Sequence, residues 1–142
     1  MNIFFDTSSL FKLYHKESDT REIIALLSDR KVDKIFLSAI ARIGFSSIVW
    51  RKFREKEFSE FETTETINLF ESDFRKYRFV AVESIIMAQA RSLIDKYGRQ
   101  GLRTLDSIQL ATAVSLIDEC QLFVTSDKLL HSFFQQEHLP VA

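Results

Sequence analysis

Four short apolar runs constrain the fold more than any other feature of this chain: NIFF (residues 2–5), KIFLS (34–38), RFVAV (78–82) and QLFVTS (121–126). None alternates polar with apolar residues, so each reads as a strand covered on both faces. Segments with helical spacing separate them. Alternating strands and helices of this kind build a parallel sheet between two helical layers. The expected fold class is therefore α/β, a three-layer α/β/α sandwich around a central, mostly parallel sheet of four to five strands. The 142 residues carry no internal repeat, linker or low-complexity tract, so one domain spanning 1–142 is expected.

Capping signals place the helices. Thr7, Ser8 and Ser9 open a helix expected to run to about Glu17. Asp19 with Glu22, and Ser59 with Glu62, have the spacing of capping boxes. Ser38 is expected to cap the helix that contains Gly44, and Thr104 the helix 104–119. Helices are also expected over 83–98 and 127–137. HLPVA (138–142) reads as a weak edge strand, where Pro140 is tolerated.

Composition excludes several classes. Hydrophobic residues are 46% and aromatics 13% of the chain, too many for a disordered one. No apolar run approaches the roughly 20 residues needed to span a bilayer, and MNIFF is too short, and too soon followed by Asp6, to be a signal peptide. A single cysteine, Cys120, suits a reducing compartment, so a cytoplasmic protein with no membrane partner is expected. The apolar neighbours of Cys120 mark it as a buried structural thiol. His15, His131 and His138 have no zinc-ligand spacing, and no glycine-rich phosphate loop is present. A net charge of −1 excludes a uniformly basic nucleic-acid binder but leaves room for a local basic patch.

Ligands of parallel α/β sheets collect beyond the carboxyl ends of the strands. Asp6 closes the first strand and Asp127 follows the fourth. Asp106 opens a helix whose other inward positions, Leu105, Ile108, Leu110 and Ala111, are apolar. Each aspartate alone reads equally as a helix cap or a dipole partner. Together at one rim they would repel one another and raise each other's pKa, and a hard divalent cation relieves that repulsion. All-oxygen ligation points to Mg²⁺ or Mn²⁺. The sequence DTS after the first strand is superficially like an aspartyl-phosphate phosphatase, but that chemistry needs a second aspartate where Ser8 stands.

FFDTSSLFKLY, LRTLDSIQLATA and FVTSDKLL, in this order and spacing, resemble the PIN-domain ribonucleases, and more narrowly the toxins of VapBC-type toxin–antitoxin pairs. The resemblance covers essentially the whole chain. It implies a PIN-like fold and a Mg²⁺-dependent endoribonuclease with Asp6, Asp106 and Asp127 as catalytic metal ligands. Ser8 and Thr125 match small polar positions that support the acids. It further implies a cognate antitoxin lying across the apolar first two helices and the phenylalanine-rich segment 58–74, an RNA substrate, and toxin homodimerisation.

The family's remaining acidic residue is a glutamate on the helix after the second strand, and the pattern LSAIARIGFSS places Gly44 there. A mid-helix glycine costs roughly 1 kcal/mol relative to alanine. Gly44 reads as a vacated ligand position, natural or introduced, or as a small residue that permits close helix packing. On the first reading the chain is expected to bind metal poorly and to cleave slowly or not at all. The alternative function is a non-catalytic PIN-fold protein that binds an antitoxin or RNA. Arg51, Lys52, Arg54 and Lys56, and Arg75, Lys76 and Arg78, are interleaved with aromatics, the pattern of an RNA contact or of solvated helix faces. Arg42 and Arg103 adjoin the expected acidic centre and are the RNA-binding candidates.

Overall fold

A computed structural model of the chain describes residues 1–17, 20–29 and 31–142. Along these residues run β1 (Asn2–Phe5), α1 (Thr7–Phe11), α2 (Thr20–Asp29), β2 (Lys34–Ser38), α3 (Ala41–Arg54) and α4 (Glu60–Ser72). They continue with β3 (Tyr77–Val80), α5 (Ser84–Tyr97), α6 (Thr104–Ser115), β4 (Leu122–Val124) and α7 (Lys128–Gln136). Short 3₁₀ turns lie at Phe74–Lys76 and Gly98–Gln100.

The sheet has the order β3-β2-β1-β4, with every pairing parallel. β1 sits inside it, Ile3 and Phe4 opposite Ile35 and Phe36 on one side, and Phe5 opposite Val124 on the other. The order reverses at β1, so the crevice between the carboxyl ends of β1 and β4 is the switch point at which such sheets bind ligands. The expected fifth strand is reduced to one parallel bridge between Val141 and Phe123.

Both sheet faces are buried, which is why β1 is apolar from Ile3 to Phe5. Phe4 enters a core with Leu93, Leu110, Phe133 and Phe134 beneath α5, α6 and α7. Ile3 and Phe5 enter a second core with Leu10, Phe11, Phe45 and Phe70 beneath α1, α3 and α4. That second core is aromatic. Phe45 packs against Phe70 at 4.2 Å between centroids, and against Tyr14 at 5.2 Å and Phe11 at 5.7 Å in edge contacts. Tyr14 hydroxyl donates to Asp73 (2.8 Å) and meets the Tyr77 hydroxyl, so the polar tips of this core are satisfied at its margin.

Local signals decide most helix starts, with some corrections. The Ser59–Glu62 capping box is present in both directions at 3.1 Å. The box expected at Asp19 lies outside the described residues. α1 stops at Phe11 and continues as turns rather than reaching Glu17. Ser38 ends β2, and its hydroxyl accepts from Ile40 N at 3.3 Å (α3 itself has no side-chain cap). Thr104 is the first helical residue of α6, with Arg103 at the cap position. That helix ends at Ser115, short of residue 119. Leu105, expected to face inward, is 63% exposed. Cys120 is buried, and burial pushes its thiol up to about 12, as suits a structural cysteine.

Phe45→Ala should therefore cost about 3–5 kcal/mol, because it removes the ring on which three others converge. Ser59→Ala should cost only about 1 kcal/mol through loss of the cap. Urea unfolding of the two variants measures both.

Candidate active site

Asp6 begins the site. Parallel pairing of β1 with β4 carries the end of β1 against Val124, whose carbonyl accepts from Asp6 N at 3.2 Å. The Asp6 carboxylate is 4% exposed. Oδ1 accepts from Ser9 N (3.0 Å), which caps α1. Oδ2 accepts from Ser8 Oγ (3.1 Å) and from Thr125 Oγ1 (2.6 Å). Burial raises the Asp6 pKa, and these donors to its ionised form counter the rise. Thr125 Oγ1 also accepts from Asp127 N at 3.1 Å, and Ser9 Oγ accepts from Ser126 N at 2.9 Å. The loops after β1 and β4 are thus stitched together through hydroxyl groups.

Asp127 is exposed at the N-cap of α7, its Oδ1 accepting from Leu130 N at 2.8 Å. Asp106 lies in the first turn of α6, half-buried. Its pKa is raised first by burial, then by the charges of Asp127 and Asp6, and is partly offset by Arg103. All three aspartates line one cavity of about 510 Å³. Chain segments more than a hundred residues apart are brought to a common rim.

Gly44 lines the same cavity from α3. A Cβ added there would stand 3.1 Å from Thr7 Cγ2 and 3.3 Å from Thr7 Oγ1. Gly44 therefore faces the acids and also lets α1 close upon α3. Thr7 is held in that place by Gln109, whose Nε2 donates to Thr7 Oγ1 at 2.9 Å. Gln109 is 6% exposed and lines the cavity, and its Oε1 is the one buried side-chain polar atom without a partner among the described residues. A buried acceptor left unmatched costs about 1–3 kcal/mol.

Arg42 departs from expectation. Its guanidinium lies over the Phe79 ring at 4.3 Å and the Phe74 ring at 5.0 Å, and it does not line the cavity. Two residues of helix turn the chain by about 200°, so Arg42 points away from the side that Gly44 presents. Arg51, on the Gly44 side of α3, lines the cavity instead. Thr7 and Gln109 were not legible as site residues by type, and Arg51 was legible only as one of a basic stretch that reads equally as a solvated helix face. Spacing was the further signal: Gln109 stands one turn after Asp106, and Arg51 two turns after Gly44.

The chemistry of the donors suits a hard divalent cation, being carboxylate and carbonyl oxygen only. Their arrangement falls short of a closed ligand set. Among the described residues no three His, Cys, Asp or Glu side chains gather closely enough to hold a metal ion. The Asp6 oxygens are turned to hydroxyl and amide donors, Asp127 is turned to α7, and position 44 contributes no oxygen. The three aspartates share a cavity without converging on one point.

The sequence profile of the PIN domain matches residues 3–133, and the chain belongs to the PIN-domain family. Solved structures share the fold at low identity. FitAcB from Neisseria gonorrhoeae has a TM-score of 0.68 at 15% identity, over 98% of this chain and 95% of that one. VapC20 from Mycobacterium tuberculosis, a sarcin-ricin loop cleaving toxin, has 0.68 at 13% identity, over 92% and 93%. VapBC2 from Rickettsia felis, bound to a DNA fragment from its promoter, has 0.65 at 15% identity, over 100% and 98%. No curated protein matches the chain by sequence. Among the described residues no helix is long and apolar enough to cross a membrane.

The raised pKa of Asp106 gives a signed pH dependence. A carboxyl group whose folded pKa lies above its unfolded value destabilises the fold once ionised, so stability falls as pH rises between the two values. Asp106→Asn should raise Tm at neutral pH, and the gain should vanish as the pH is lowered below the ordinary carboxylate pKa. Thermal melts across pH test this, and a gain that persists in acid contradicts it.

Proposed function

We propose that this chain is a divalent-metal-dependent endoribonuclease of the toxin–antitoxin type, with Asp6, Asp106 and Asp127 as its catalytic acids and with activity impaired by glycine at position 44. The observation that carries this reading is the meeting of three carboxylates from β1, α6 and the start of α7 in one cavity, where Asp106 feels the charge of the other two. Perturbed carboxyl groups clustered in a cleft mark functional sites. A bound Mg²⁺ or Mn²⁺ would supply an activated water and stabilise charge on the leaving oxygen.

The residues of the chain have separable tasks in this reading. Asp6, Asp106 and Asp127 would supply the oxygens for the ion, and Ser8 and Thr125 fix the Asp6 carboxylate by donating to Oδ2. Arg103 moderates the negative charge beside Asp106. Gly44 withholds a fourth carboxylate, so metal affinity and rate both fall. The setting is supported by fold likeness to toxin–antitoxin structures, which favours an antitoxin partner; a cytoplasmic, homodimeric toxin belongs to the same proposal. On the segments expected to meet such a partner, Ile24 of α2 and Phe61 and Leu69 of α4 are exposed apolar residues.

The unsubstituted chain should cleave RNA slowly in Mg²⁺, Gly44→Glu should cleave at least tenfold faster, and Asp6→Asn should be inactive. Gly44→Ala adds only the carbon that presses on Thr7, so it separates packing from ligation and should gain nothing. Equal rates for the glycine and glutamate forms would remove position 44 from the acidic centre. Absence of cleavage by every form, with RNA binding retained, would favour a PIN-fold binding protein.

A further inference from the structure

We infer that Arg51 is the phosphate-positioning residue of this cavity and that it holds a phosphate of single-stranded RNA a short distance from the acids; this rests on the ribonuclease reading above. The cavity lining carries both signs of charge. Asp6, Asp106 and Asp127 line it from the end of β1, the first turn of α6 and the start of α7, and Arg51, two turns along α3 from Gly44, is the one cation among the described residues that line it. Apolar side chains share the lining, among them Ile43, Ile48 and Leu105, and Ile43 and Leu105 are 73% and 63% exposed. Gly44 and Arg51 are seven positions apart on α3, about 10 Å along the axis at 1.5 Å per residue. Stacked nucleotides rise roughly 3.4 Å each along a strand, so that span fits two to three of them.

The charge pattern selects the occupant. A cationic peptide that satisfied the three carboxylates would meet Arg51. An acidic peptide that satisfied Arg51 would meet the carboxylates. A nucleic-acid strand offers a phosphate to Arg51 and lays bases or riboses on the isoleucine and leucine surfaces of the same cavity. Its phosphate beside the acids is acceptable once a divalent cation is present. Arg51 is also available for the task. Its ion pair with Glu55 is 3.9 Å long and half-exposed on both sides, a pairing of little energetic weight. Neighbouring cations are committed: Lys52 is tied to Glu17 and Glu57 at 3.4 and 3.2 Å, and Arg42 lies on two rings.

The test is fluorescence anisotropy with a short fluorescein-labelled single-stranded RNA, at fixed Mg²⁺ and over a series of NaCl concentrations. Arg51→Gln should weaken binding about tenfold or more, the effect of losing a charge-assisted hydrogen bond. The slope of log Kd against log salt should fall by about 0.7, the value for one phosphate contact on a single strand. Arg51→Lys should restore the slope, and Arg42→Gln should change neither quantity. A structural defect would not move the slope, and circular dichroism melts confirm the fold of each variant. An unchanged slope in Arg51→Gln, with RNA binding otherwise intact, overturns the role of Arg51 and leaves the ribonuclease reading standing. Failure of the unsubstituted chain to bind the RNA overturns both.

Discussion

The burial of one carboxylate organises this molecule. Asp6 ends an interior strand with almost no solvent around it, and a charge in that position is tolerable only where hydrogen bonds replace the lost water. Ser8, Ser9 and Thr125 provide them. Because Thr125 belongs to the segment after β4, the same bonds that hold Asp6 also hold the crevice in which Asp127 stands. The site and the β1–β4 junction are one structure.

The cost of gathering acids is visible elsewhere. The pKa of Asp106 is raised by burial and by its two neighbours, and the Gln109 carbonyl oxygen has no partner among the described residues. Sites held in tension of this kind trade stability for chemistry. Gly44 sits at the centre of the trade. It adds no charge to a wall that already carries three acids and lets the Thr7 side chain settle where a Cβ would press. A side chain on α3 at this position must pass Thr7 to reach the cavity.

α3 is the second organising element. Its buried side carries Phe45 and Val49 into the aromatic core, while Gly44, Ile48 and Arg51 border the cavity. One helix thus carries both Gly44 and the cation, seven positions apart. The core beneath it, with Phe45 wedged among Phe11, Tyr14 and Phe70, anchors that helix.

The sequence by itself determined the layers, the parallel pairing and the candidate acids. Apolar runs without alternation require cover on both faces, and Asp6 and Asp127 stand at strand ends whatever the strand order. The tertiary structure decided the rest. Only the order β3-β2-β1-β4 sets β1 beside β4 and so brings Asp6 to Thr125, 119 positions away. Only packing turned Arg42 onto two phenylalanines, exposed Leu105, and placed Thr7, held by Gln109, against Gly44. Periodicity tells which residues share a face of their own element, but direction toward another element depends on how the two are docked, and that is settled by contacts distant in the chain.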